Sequence, residues 1–314
     1  MKRLILAMLL FIAAPSCLLS AENYDSFAET VVKDIRIIGA DHTREQVIMR
    51  ELVTRIGELF DIEKLSQDLK SLDRMGLFNT IEIYPIEENG ETVIMVEVNE
   101  TFRYFPIAEM TIDDENGISA GGGLKSVNLF GKGISCHIVA LFGGATTVEA
   151  ALRNPWVTGN HFGYSLAYYH RDRRNGLFDF DEKADEFFLA LSSFIRQNGR
   201  TGVRYSFQAI RSDEIGKTLS DDNRDMVSTA GLFIGYDSRD RISDPSSGWW
   251  NELAVEKVGL FGDEIDFWRA HIDLRRFIHV TDRNTIALFS LTSLTEGVVG
   301  EQVAPWQQYS LGGT

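Results

Sequence analysis

From about residue 117 onward, apolar and polar residues alternate in segments of roughly ten, and this period of two returns along most of the remaining chain. Val203, Tyr205, Phe207 and Ala209 stand against Gly202, Arg204, Ser206 and Gln208. Phe162, Tyr164, Leu166 and Tyr168 stand against His161, Gly163 and Ser165, and Trp268, Ala270, Ile272 and Leu274 against Arg269, His271, Asp273 and Arg275. Successive side chains of a strand point to opposite faces, so each segment predicts a strand with one apolar and one polar face. One or two such strands would suit a soluble sheet. Their repetition predicts an all-β antiparallel transmembrane β-barrel, greasy outside and wet inside. Eleven strands are expected, near residues 104–113, 118–127, 134–142, 147–153, 161–171, 186–195, 201–211, 226–237, 249–259, 265–279 and 285–295.

Residues 30–99 have another rhythm. The β-branched run 31–38 predicts a strand ending at Gly39. Thr43 followed by Gln46 reads as a capping box, and Ile48, Leu52 and Ile56 as the apolar stripe of a first helix. Asp61 caps a second helix, with Phe60 stapled onto Leu65. Its buried face is Ile62, Leu65, Leu69 and Leu72, and Gly76 stops it. Strands at 80–85 and 92–99 flank the hairpin turn Glu88-Asn89-Gly90. The order β-α-α-β-β makes an α+β module in which two helices cover one face of a three-stranded sheet. The other face and one edge stay open, and strand addition is one use of such an edge.

The head of the chain reads as a secretory signal over residues 1–21. Lys2 and Arg3 precede an apolar run from Leu4 to Ala14, and Leu19-Ser20-Ala21 is a cleavage site. Cys17 is a poor lipoprotein acceptor behind Ala14-Pro15-Ser16. Without the signal, Cys136 is the lone cysteine, so no internal disulfide is expected, and it falls on an apolar face with Ile134, Ile138 and Ala140. The formal charge of −15 becomes −17 when Lys2 and Arg3 are lost (29 minus 46), which argues against nucleic acid as a partner. Acidic runs such as 179–185 and 221–225 read as solvated loops.

The run Leu72-Asp73-Arg74-Met75-Gly76-Leu77-Phe78-Asn79-Thr80-Ile81, followed by Val93-Ile94-Met95-Val96-Glu97-Val98, resembles a POTRA domain, here one copy over residues 30–99. Behind it, over residues 100–314, stand landmarks that resemble the BamA/TamA outer-membrane assembly superfamily, also called bacterial surface antigens. They are Asn128-Leu129-Phe130-Gly131-Lys132-Gly133, Asn154-Pro155-Trp156 with Gly159, Tyr236-Asp237-Ser238-Arg239-Asp240 with Pro245 and Gly248, and Tyr309-Ser310-Leu311-Gly312-Gly313. Barrels of that family have sixteen strands, so about eleven of sixteen are expected here. The family's Arg-Gly-aromatic motif would follow Thr314, and the expectation is a truncated product or an incomplete sequence. The rival is a short barrel closed by oligomerisation, which open edges in lipid disfavour.

The resemblance implies a role in outer-membrane protein assembly and insertion or in polypeptide translocation. It implies the outer membrane as location, with the POTRA domain in the periplasm. Implied partners are membrane lipid, unfolded outer-membrane or secreted clients, and periplasmic or lipoprotein accessory subunits. Client strands would add along the POTRA edge at Thr80, Ile81, Glu82, Ile83 and Tyr84. The lateral seam would begin at a first strand carrying Tyr104, Phe105, Ile107, Met110 and Ile112. Asp237, Arg239 and Asp240, with Arg241, form a charge cluster read either as a salt-bridge network in the barrel or at its rim, or as a solvated turn. The alternatives are a dedicated secretion pore for one partner and a passive channel, with a soluble β-sandwich bearing an α+β domain as a further one.

No catalytic site is expected. The six histidines show no metal-ligand spacing and no Gly-x-Ser-x-Gly elbow occurs, so no enzyme, metal or cofactor is predicted. Gly121-Gly122-Gly123 lies in a strand pattern, which suits a bulge or thin wall better than a phosphate cradle. Trp156, Tyr168, Tyr169, Trp249, Trp250 and Trp268 read as aromatic girdles.

Overall fold

The computed structural model describes residues 16–17, 24–159, 161–176, 179–196, 198–240, 245–261, 265–281 and 284–295. Most of the signal-like segment, Arg241 and the 309–313 motif lie outside them. A two-residue strand β1 (Ser16–Cys17) precedes a module built from β2 (Val32–Ile38), α1 (Glu45–Met49), α2 (Ile62–Met75), β3 (Phe78–Glu88) and β4 (Glu91–Glu100). Its sheet runs β1-β3-β4-β2, with β2 parallel and β3 antiparallel to β4. The β3–β4 turn is Asn89-Gly90, both with positive φ (54° and 83°), the backbone a two-residue hairpin demands.

α2 forms as its sequence predicts. The Asp61 carboxylate accepts from Glu63 N–H at 2.8 Å, and Gly76 closes the helix in the left-handed region. Leu65, Leu69 and Leu72 pack on Ile81, Ile83, Ile94 and Val96 of the sheet. Phe60 joins that core, whereas Ile62, expected on the buried face, is exposed.

The first helix differs from expectation. It has five residues, and its N-cap is Arg44, which makes no side-chain cap. Thr43 is drawn away: its N–H donates to Glu100 at 2.6 Å and its hydroxyl accepts from Asn128 at 2.7 Å. Contacts outside the module have recruited the capping group. Ile48 and Leu52 are buried, but Ile56 lies exposed beyond the helix end. The chain after α1 is held instead by Asp68, whose buried carboxylate accepts from the backbone N–H groups of Val53 and Thr54. Burial pushes that carboxyl above the usual range.

Eleven strands follow as a continuous antiparallel meander: β5 (Tyr104–Asp113), β6 (Gly117–Leu129), β7 (Ile134–Gly143), β8 (Thr146–Thr158), β9 (Phe162–Asn175), β10 (Phe180–Ile195), β11 (Gly199–Ser212), β12 (Arg224–Asp237), β13 (Gly248–Val258), β14 (Phe267–Thr281) and β15 (Asn284–Thr295). Each pairs with its neighbours in sequence, so among the described residues β5 and β15 are the two edges and the sheet is not closed.

Register gives the sheet two unlike faces. Val203 opposes Leu232, and Leu232 opposes Val255; all three are exposed. Leu166, Phe187, Leu253 and Trp268 extend this apolar outer surface. One residue along each strand the chemistry inverts: Arg204 opposes Gly231, which opposes Glu256, which opposes Arg269. Gly121-Gly122-Gly123 contains no bulge, because β6 there is in regular register with both neighbours. A Cβ on any of the three would run into a backbone carbonyl, of Ala140, Ile107 or Ile138, so glycine lets three strands approach closely.

Candidate functional site

Three places carry the predicted site residues. β3 is the outer long strand of the module sheet. Along its outer edge Thr80 and Ile81 pair in parallel with Ser16 and Cys17. Ile81 and Ile83 point into the core, leaving Glu82 and Tyr84 on the open face. The Tyr84 hydroxyl donates to Glu97 at 2.6 Å, and that carboxylate pushes the phenol up to about 12. Beside it Arg36 bridges Asp34 (3.0 Å) and Glu88 (2.6 Å), spanning β2 to β3 across β4. The open face is thus a charged lattice, and an added strand meets β3 mainly through backbone groups.

β5 holds all five predicted seam residues and, among the described residues, pairs only with β6. Pro106 opposes Leu124 and Ile112 opposes Ile118, both partners exposed, so Tyr104, Met110 and Ile112 share the apolar face. Phe105 and Ile107 lie on the polar face, in register with Lys125 and Gly123. The residues joining module and sheet, Glu100, Thr101, Phe102 and Arg103, line a cavity of about 420 Å³ with His42 and Asn128.

The charge cluster sits at the rim between β12 and β13. Arg239 forks onto Asp237 (2.8 and 2.9 Å), while Asp240 accepts from Ser246 N–H (2.9 Å) and Ser247 N–H (3.1 Å). It therefore ties the two ends of one turn together. It also faces the module, since Arg74 at the end of α2 donates to the Arg239 carbonyl and to Asn198, each at 3.4 Å.

That contact belongs to a wider interface the sequence reading missed. The module rests on four turns at one end of the sheet. In the β6–β7 turn, Gly131 O accepts from Arg44 N–H at 2.9 Å, and His42 Nε2 lies 3.0 Å from Asn128 O. Gly131 is needed there: its φ is 68°, and a Cβ would strike the His42 carbonyl. At the β8–β9 turn, Arg50 donates to Trp156 O (2.9 Å) and lies 4.9 Å from its ring. Trp156 stacks on His161 (3.7 Å), His161 on Phe194 (4.3 Å), and Glu51 is 3.0 Å from His161 Nε2. Burial lowers the Arg50 pKa. Trp156, read as a girdle residue, is instead a docking surface for the module.

The polar face carries a second unread feature. Arg204, Phe233, Arg200, Trp250 and Arg275 alternate along the wall, with guanidinium-to-ring distances of 4.8, 5.9, 5.1 and 4.6 Å. Glu252 bridges Arg200 (2.6 Å) and Arg204 (2.7 Å), and Glu256 holds Arg269 at 2.7 Å. Trp250 is thus inside the wall, a correction to its girdle reading. Gly231 and Gly235 make the room, for a Cβ there would collide with Glu256 or Arg200. The signal was present in the sequence, as arginines on the polar phase facing glycines on the next strand, but only register brings them together.

A sheet that is apolar outside and ionic inside, with an α+β module seated on its turn end, defines a barrel-wall protein of the POTRA-bearing class. Residues 128–314 match the Omp85 superfamily domain and residues 30–101 match the POTRA family described as surface antigen variable number repeat. The first match covers more than half the chain, which belongs to the Omp85 superfamily as a BamA/TamA-type member. It is 23% identical over 260 residues to the outer membrane protein assembly factor BamA of Nitratidesulfovibrio vulgaris, covering 78% of this chain and 32% of that protein. To the same factor of Neorickettsia risticii it is 22% identical, covering 81% and 36%. The chain thus spans about a third of the length of these curated relatives. Among solved structures it is similar to BamA from Haemophilus ducreyi lacking POTRA domains 1–3 (TM-score 0.61, 18% identity, 90% of this chain and 59% of that one). It is also similar to CdiB from Escherichia coli (TM-score 0.54, 14% identity, 89% and 58%). These likenesses are likenesses of fold.

Proposed function

We propose that this chain serves outer-membrane protein assembly or polypeptide translocation without catalysing a reaction. Residues 1–21 are the export signal, the POTRA domain over 30–99 lies in the periplasm, and residues 100–314 form barrel wall. The Omp85 match and the naming of both curated relatives as assembly factors support the coarse role. The observation that carries the finer reading is the outer edge of β3. Among the described residues, pairing there involves only Thr80 and Ile81, and the strand beyond them offers backbone donors and acceptors to an incoming extended segment. That Ser16–Cys17 pairs with this edge supports strand addition as its chemistry. β5, an edge strand of the wall, is the seam at which a client strand is templated.

Photocrosslinkers placed at Glu82 and Tyr84 of the full-length protein test this directly. Adducts with several unfolded outer-membrane proteins are expected, and few at Lys70 on α2. Equal yields at all three positions would sink the reading. One secreted adduct alone would favour the secretion-pore alternative, a fold that the CdiB likeness also fits.

A further inference from the structure

The outer face of β13 and β14 carries two cation–aromatic pairs, each formed by residues directly opposite in register. Arg276 opposes Trp249 and Lys257 opposes Trp268. The guanidinium lies 4.7 Å from the Trp249 ring, and the ammonium 5.6 Å from the Trp268 ring. The pairs are eight residues apart along β13, counted from Trp249 to Lys257. Eight residues are about 27 Å of strand, or roughly 20 Å of height at a barrel tilt of about 40°, near the apolar height of an outer-membrane wall. Asn251, next to Trp249 on this face, and the exposed Leu253 and Val255 stand between them. The pairs therefore sit at the two borders of the apolar band, with Trp249 at the end where the POTRA domain docks.

The two borders differ in charge balance. Lys257 is neutralised by the Asp266 carboxylate. Among the described residues no carboxylate pairs with Arg276; its directly opposite neighbours on the outer face are apolar, and the polar side chains diagonal to it, Asn251 and Ser290, are uncharged. Trp249 and Leu288 lie opposite it on the flanking strands, and Leu274 and Ile278 lie two positions either way along its own. A guanidinium never loses its charge, and its five fork-like N–H donors match an anionic oxygen acceptor bidentately. On a lipid-facing wall at the border of the apolar band, that acceptor is a headgroup phosphate.

We propose that Arg276, braced on Trp249, binds the phosphate of an anionic phospholipid in the periplasmic leaflet. The assignment rests on the reading of the apolar face as the membrane face. The full-length protein is placed in nanodiscs of phosphatidylcholine containing phosphatidylglycerol, and the lipids it retains are counted by native mass spectrometry. The wild type is expected to hold phosphatidylglycerol roughly fivefold in preference, the scale of one exposed charge-assisted contact. Arg276→Gln should lose this, Arg276→Lys should keep part of it, and Lys257→Gln should leave it unchanged. Heat-modifiable migration on gels reports whether each barrel has folded. Equal retention by wild type and folded Arg276→Gln would overturn the proposal, as would displacement by millimolar inorganic phosphate, which marks a free-phosphate site. Quenching by brominated phosphatidylcholine, compared between wild type and Trp249→Phe, checks the membrane face separately. Quenching at Trp249 without lipid preference removes only the phosphate site, whereas no quenching removes both.

Discussion

The POTRA domain and the barrel wall solve the same burial problem in opposite directions. The domain encloses Val32, Ile48, Leu65, Leu72, Ile81 and Val96 in a dry core and turns its charges, such as Arg36 and Glu88, outward. The wall turns Leu232, Leu253 and Trp268 outward and keeps Arg204, Glu252 and Glu256 within. Both obey one rule, that apolar surface avoids water and charge finds a partner. The difference is the solvent on the far side. A chain whose halves are folded for two solvents gains from a firm joint, and the joint is polar: His42, Arg44, Arg50, Glu51 and Arg74 against four turns.

The comparison breaks most sharply at the POTRA core. Leu65 is fully buried, and Leu65→Ala should cost the domain about 2–5 kcal/mol. The urea midpoint of the domain in the full-length protein should fall while the barrel keeps its heat-modifiable migration. A drop under about 1 kcal/mol would mean that the domain does not stand on this core. Leu253→Arg should be next in size. Facing lipid near mid-wall, it should cost the inserted barrel about 2–4 kcal/mol and leave the domain's urea transition untouched. If that face met water, the same exposed substitution would stay within about 0.5 kcal/mol.

The smallest effect sharpens the contrast through pH. Because burial raises the Asp68 pKa, the folded domain holds more protons than the unfolded chain between the ordinary aspartate value and the raised one. The contribution is fully present below the unfolded value and is lost as pH rises through the folded one. Urea midpoints of the POTRA transition should therefore fall with pH across that window, and Asp68→Asn should flatten the step. A wild-type profile that rises with pH there would contradict the burial argument.

Much of this was legible locally. Period-two alternation located the eleven described strands, because a strand between two solvents alternates along most of its length. Asp61, Gly76 and Asn89-Gly90 announced a helix start, a helix stop and a hairpin, because caps and tight turns depend on few residues and their own backbone. Thr43 misled for the reason that makes it interesting: a local capping signal lost to a bond with Asn128, 85 residues away. Trp156 and Trp250 misled likewise, since composition marks an aromatic as interfacial but cannot say against what it packs.

Taken alone, then, the sequence determined the α+β module, the antiparallel wall and the side of each strand that faces away from water. It could do so because helix caps, turns and strand phase are properties of neighbouring residues. Only the tertiary structure decided the seating of the module on four turns, the Arg–aromatic ladder of the inner wall and the outward pairing of Arg276 with Trp249. Those depend on register across strands and on which turn meets which helix, and such long-range pairings leave no mark within any one segment.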